Sequence, residues 1–176
     1  MKKLQNPKKY LGNEMRYLEK VLNSENWSST TGNWNQTLEN KFSEKFGAKY
    51  AVALNSGTGT LHAALESVGV GPGDEVLSPA LTVIMDATAT IHANAVPVFV
   101  DVNLEDYGID TDQLEASWSP KVKAVMLAHT LGNPFNLQKV TEFVEQHNLW
   151  FIEDCCDALG SQYLGKNVGT FGDIGT

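Results

Sequence analysis

The sequence predicts an α/β fold: a mainly parallel sheet with helices on both faces. Three observations predict it. Short apolar runs alternate with segments whose apolar residues recur at helical spacing, which is the pattern of parallel strands joined by crossover helices. Polar turns begin at Asn55, Ser78, His129 and Glu153, each directly after an apolar run. The 176 residues, 42% hydrophobic and 19% charged, suffice for one domain with a sizeable core.

Leu11, Met15, Leu18 and Leu22 recur at helical spacing, which predicts an amphipathic first helix that packs on something and ends near Asn23-Ser24. The hydroxyl- and glycine-rich stretch Trp27 to Asn33 reads as a loop. Trp34, Leu38, Phe42 and Phe46 form a second helix that Gly47 ends. Tyr50 to Leu54 then reads as a short buried strand, followed by Asn55-Ser56-Gly57-Thr58-Gly59-Thr60 and a helix carrying Leu61, Ala64, Leu65 and Val68. Gly71-Pro72-Gly73-Asp74 is a turn into the strand Glu75-Val76-Leu77, and a helix is expected from Thr82 to Asn94. Pro97 to Asp101 is a strand, and Asp110-Thr111-Asp112 opens a short helix through Leu114 and Trp118. Val122 to Ala128 is a strand, Leu137, Val140, Phe143 and Val144 share a helix face, and Leu149 to Ile152 is the last strand expected.

A net charge of −8 without a concentrated basic patch argues against nucleic acid and anionic membranes as partners. Lys2, Lys3, Lys8 and Lys9 are followed by no apolar signal core, and no run is long enough to span a bilayer, so a cytoplasmic location is expected. Cys155 and Cys156 are adjacent and lack the spaced pairs of zinc sites; neither they nor the four histidines suggest a metal.

The stretch from Phe151 to Gly160 carries the chemistry. A buried strand passes into Glu153, Asp154, two thiols and Asp157, at the carboxyl end of a parallel sheet, where ligands bind in such folds. An Asp in this place also serves as a helix cap. Upstream, Ser56, Gly57 and Thr58 stand at a helix N-terminus, where unpaired N–H groups and the helix dipole favour a phosphate. A plain turn with a Ser or Thr cap fits the same residues. No Lys follows the glycines as in a Walker A loop, and the three-glycine dinucleotide spacing is missing. Right-handed crossovers put all strand ends on one side, so cradle and acid can face one pocket, an arrangement suited to a phosphorylated aromatic cofactor.

Asn55-Ser56-Gly57-Thr58, the run Pro97 to Val102, His129 through Pro134, and Glu153-Asp154 through Gly172-Asp173 together resemble the DegT/DnrJ/StrS family of pyridoxal-phosphate-dependent enzymes acting on nucleotide-linked keto sugars. The match runs from about Tyr10 to Thr176. The resemblance implies a fold-type I large domain, incomplete here: residues 1–34 as an N-terminal helix and substrate-side loop, and residues 35–176 as part of the cofactor-binding domain. It implies that Gly57 and Thr58 hold the cofactor phosphate and that Asp154 pairs with the pyridinium nitrogen of pyridoxal (or pyridoxamine) 5′-phosphate. Asp157 falls where the aminotransferases usually carry Gln, near the ring oxygen. Val83 stands where many members place an aromatic ring on the cofactor face, and Leu159 where many have His.

The runs His129 to Phe135 and Glu153 to Gly160 are closer to one branch, the CDP-ketodeoxyhexose 3-dehydrases, which carry His in place of the Schiff-base Lys. That Lys or His follows the Gly-Asp pair in the family and is expected beyond Thr176; Lys166 does not match it. Three readings result. The first is part of a sugar aminotransferase serving lipopolysaccharide or cell-surface polysaccharide synthesis, with a nucleotide-linked keto sugar and an amino donor such as glutamate, and homodimeric when complete. The second is the dehydrase. The third is a phosphate- or nucleotide-binding module without covalent chemistry. The chain alone is expected to be inactive, with an unpaired sheet edge.

Overall fold

The structure, a computed structural model, describes residues 12–176, so Leu11, the N-terminal lysines and Tyr10 lie outside the described residues. It divides into two units, residues up to 45 with 49–53 and residues 46–48 with 54–176.

In the first unit, α1 (Glu14–Leu22) and α2 (Trp34–Phe46) are the two helices expected, joined by the expected loop. Tyr17 meets Trp34 edge to face, with ring centroids 6.0 Å apart. Gly47 follows α2 at φ 69°, the left-handed conformation that ends a helix without a Cβ penalty. Two expectations fail here. The apolar face of α1 is not buried: Met15, Leu18 and Leu22 remain 75%, 55% and 62% exposed. Nor is Tyr50 to Leu54 a buried strand; it forms no ladder among the described residues, and Tyr50, Val52 and Leu54 are exposed. Apolar β-formers signal a surface that suits a sheet, but a ladder also needs a neighbouring backbone, and the described residues offer none. The Ala53 N–H donates instead to Glu39 Oε1 at 2.9 Å.

The second unit opens with α3 (Gly57–Ser67), capped by Ser56, whose hydroxyl accepts the Gly59 N–H. Then follow β1 (Glu75–Pro79), α4 (Met85–His92), β2 (Val96–Val100), α5 (Leu114–Ser117) after one 3-10 turn, β3 (Val122–Ala128), α6 (Leu137–His147) and β4 (Trp150–Asp154). After β4 come a two-stranded hairpin, β5 (Gln162–Tyr163) with β6 (Lys166–Asn167), and the short strand β7 (Ile174–Gly175), which the sequence reading did not predict. The helix expected over Thr82 to Asn94 is shorter at both ends.

The main sheet runs β2-β1-β3-β4-β7, with every pair parallel. Strand alternation divides the core into two faces. On one, Leu77, Val125, Leu127 and Phe151 pack with Leu114 of α5 and with Leu137, Val140, Phe143 and Val144 of α6. On the other, Val76, Ala124, Met126 and Ile152 pack with Leu61, Ala64 and Leu65 of α3 and Ala89 of α4. From β1 the chain crosses through α4 to β2 at the edge, then returns past β1 through α5 to β3. Crossovers therefore leave β1 and β3 in opposite directions, which opens a crevice at their carboxyl ends.

Leu127 is fully buried at the centre of this sheet. Leu127→Ala should lower stability by about 2–5 kcal/mol, the range for truncating a buried leucine; a urea titration gives the value.

Candidate active site

Period two in β4 sends neighbouring acids to opposite faces. Glu153 shares the face of Phe151, and Asp154 that of Ile152. Both are buried.

Glu153 Oε1 accepts the N–H groups of Phe171 and Gly172, each at 2.7 Å. Its Oε2 accepts the Gly169 N–H at 2.8 Å and sits 2.9 Å from His129 Nε2. An ionised carboxylate only accepts, so Nε2 carries the histidine proton. Burial alone would raise the Glu153 pKa, but the hydrogen bonds from His129, Gly172 and Gly169 outweigh it and hold the carboxyl below its ordinary value. The ring of His129 stacks on Phe135 at 4.6 Å. Gly172 has no room for a side chain: a Cβ would lie 2.5 Å from the Phe151 carbonyl oxygen. This close approach lets Asp173 close the edge of β4, its N–H donating to Phe151 O at 2.8 Å and its Oδ2 accepting the Phe151 N–H at 2.9 Å.

His129, Glu153 and Cys155 bring potential metal-ligand atoms within 4.8 Å of one another, a juxtaposition invisible in the sequence spacing. The Glu153 oxygens are already engaged by donors, and burial, reinforced by the charges of Glu153 and Asp154, pushes the Cys155 thiol up, away from the thiolate a metal needs. The arrangement reads as a structural network.

On the other face lies a cavity of about 390 Å³ at the crevice between β1 and β3. Gly57, Thr58, Val83, Asp154 and Asp157, the five residues singled out from the sequence, all line it. The N-terminus of α3 supplies the first two. There the Gly59 and Thr60 N–H groups turn back to Ser56, while those of Gly57 and Thr58 belong to the first turn and have no partner within the helix. Gly57 must be glycine for space, since a Cβ would lie 2.9 Å from Cys156 Sγ. Asp154 Oδ1 accepts the Cys156 N–H at 2.9 Å. Val83 is 55% exposed and contributes an apolar wall, as do Leu81 and Met85. The Cys156 thiol is pushed up to about 12 by burial, by its hydrogen bond to Asp154 and by the charges of Asp154, Asp86 and Asp157, so it is a poor nucleophile at neutral pH.

Two buried groups at this site escaped the sequence reading. His129, noted only within a motif, lines the cavity, and its Nδ1 has no hydrogen-bond partner among the described residues. Asp86 of α4 is fully buried, and the charge of Asp154 acts on it. Its signal was available: Asp86 is the only acid between Glu75 and Asp101.

A helix N-terminus with unpaired N–H groups, apolar walls and a buried carboxylate in one cavity fit a phosphorylated, protonatable aromatic ring. The comparisons with known proteins agree. GDP-perosamine synthase of Escherichia coli O157:H7 is 41% identical over 94% of this chain and 45% of its own length. The lipopolysaccharide biosynthesis protein RfbH of Salmonella typhimurium is 43% identical over 84% of this chain and 36% of its own. The chain thus spans less than half the length of these relatives. Among solved structures, Spr1654 of Streptococcus pneumoniae, determined in PLP and PMP forms, superposes with a TM-score of 0.86 at 28% identity, over 92% of this chain and 44% of its own.

The sign of the Glu153 shift fixes a pH dependence. A carboxyl held below its ordinary value of 4.5 stabilises the fold fully above that value, and the stabilisation is lost as pH falls through the folded pKa. Glu153→Gln should cost about 1.5–3 kcal/mol at neutral pH, the range for hydrogen bonds to a charged group. The deficit should shrink on acidification, as denaturant midpoints measured at several pH values will show.

Residues 9–176 match the DegT/DnrJ/EryC1/StrS aminotransferase family, and the chain belongs to it.

Proposed function

We propose that this chain is the cofactor-binding part of a pyridoxal-phosphate-dependent aminotransferase acting on a nucleotide-linked keto sugar. The observation that carries the reading is the single cavity joining the α3 N-terminus to Asp154. Membership of the aminotransferase family and the likeness to GDP-perosamine synthase and to RfbH support it, and point to surface-polysaccharide synthesis.

When bound, pyridoxal phosphate supplies an electron sink for the carbon that gains or loses the amino group. The residues of this chain would serve it as follows. The Gly57 and Thr58 N–H groups would hold the phosphate, assisted by the helix dipole. Asp154, fixed by the Cys156 N–H, would keep a proton on the ring nitrogen, because a buried carboxylate favours an adjacent cation. Val83 would cover a ring face, and Asp157 would stand near the ring oxygen. Asp154 itself is buried, and the low dielectric around it strengthens its interaction with a ring cation. The covalent anchor and most sugar contacts would come from the part of the relatives' length that this chain does not span, in a homodimer with glutamate or a similar amino donor. Residues 1–34 would form the substrate-side element and residues 35–176 the cofactor domain.

A second reading is removal of a sugar hydroxyl by a dehydrase. It is favoured by Asp157 where aminotransferases usually carry Gln and by Leu159 where many carry His.

Asp154→Ala in the full-length protein should abolish binding of pyridoxal 5′-phosphate, followed by absorbance titration; unchanged binding would contradict the assignment. Mass spectrometry of a nucleotide keto sugar incubated with the protein and glutamate separates the two reactions. The aminotransferase yields an amino sugar, whereas the dehydrase yields a sugar lacking one hydroxyl.

A further inference from the structure

Asp86 has no role in the proposal above, yet it is fully buried. Thr82, four residues earlier, donates its hydroxyl to Asp86 Oδ2. Asp86 Oδ1 has no hydrogen-bond partner among the described residues, and the Asp154 carboxyl stands near enough to act on Asp86 electrostatically. Two ionised carboxylates buried side by side repel, and a proton held by one of them removes that repulsion. The asymmetry of the surroundings selects which. Asp154 opens on the cavity and accepts a backbone N–H, whereas Asp86 has one neutral donor and no exposure.

We propose that Asp86 is a positioning residue: a neutral carboxylic acid whose Oδ1–H donates to Asp154, fixing that carboxylate and keeping it the ionised member of the pair. The idea deepens the reading of Asp154 as the ring-nitrogen partner and rests on it for the identity of the ligand. One proton thus satisfies the orphaned Asp86 oxygen, removes the repulsion and leaves an Asp154 oxygen for the cavity. Burial, opposed by the Thr82 hydrogen bond and reinforced by the Asp154 charge, raises Asp86 from the ordinary carboxylate value to about 7. Of the other titratable groups nearby, His129 also lines the cavity, but its Nε2 is tied to Glu153 on the opposite face of the sheet. Cys156 and Asp157 flank Asp154; α3 brings His62 and Glu66, paired at 3.3 Å. His62 meets the ring of His92 at the far end of α4, about 9 Å along the helix from Asp86. Glu75 of β1 is held by Ser119 at the opposite end of its strand.

The test uses the full-length protein stripped of cofactor, with Asp86→Asn and Asp86→Ala. In difference infrared spectra the unliganded wild type should show the carbonyl stretch of a protonated carboxylic acid at about pH 6, titrating away near the Asp86 value, and Asp86→Asn should lack it. This arm needs no cofactor, so it stands even if pyridoxal phosphate proves not to be the ligand. In the second arm, Asp86→Ala should bind pyridoxal 5′-phosphate roughly tenfold or more weakly, the effect of one hydrogen bond to a charged group. Asp86→Asn, which keeps a donor, should recover most of the loss. Wild-type affinity should fall at alkaline pH relative to Asp86→Asn, because ionised Asp86 can no longer donate. A wild type without the acid band, a band that survives in Asp86→Asn, or equal binding by the Ala and Asn variants would each overturn the proposal.

Discussion

The buried carboxylate of Glu153 is the constraint on which the carboxyl edge of the sheet depends. It stands at the end of β4 and accepts hydrogen bonds from the excursion that leaves this strand and returns as β7. Without that acceptor, the part-buried Gly169, Phe171 and Gly172 N–H groups would lose their partner in the sheet. The same carboxylate orients His129, fixing which ring nitrogen carries the proton and stacking the ring on Phe135. A segment with little regular structure is thereby held to the sheet by one side chain.

From this follows a division of labour that strand geometry imposes. Because adjacent side chains of β4 point to opposite faces, the structural carboxylate and the cavity carboxylate can be consecutive residues without competing for donors. Glu153 faces α5 and α6, and Asp154 faces α3 and α4. The α3 N-terminus, Val83 after β1 and His129 after β3 meet Asp154 at the point where the crossovers diverge. The burial that opposes ionisation of Glu153 also governs the far face, where it raises Asp86 and Cys156.

How much of this was legible in the sequence depended on the range of the interaction. Strands β1, β3 and β4 were readable because their apolar runs end in abrupt polar turns, and α3 because Ser56 announces its cap. Gly57, Thr58 and Asp154 followed from strand-end and helix-end chemistry. The segment Tyr50 to Leu54 misled because its side chains suit a sheet while its backbone meets no partner, and the α1 stripe misled because periodicity does not say what covers it. Pairings between distant residues were out of reach: Glu153 with Gly169 and His129, and Asp173 closing the edge of β4. No spacing rule encodes which strand end will face which helix.

In the proposed function, Asp154 would face a protonated ring nitrogen of the bound cofactor. The nitrogen chemical shift of ring-labelled pyridoxal 5′-phosphate bound to the full-length protein tests it most directly. A shift of the protonated pyridinium type at neutral pH, lost in Asp154→Asn, is the predicted result. A shift of the unprotonated pyridine type in the wild type would contradict the account.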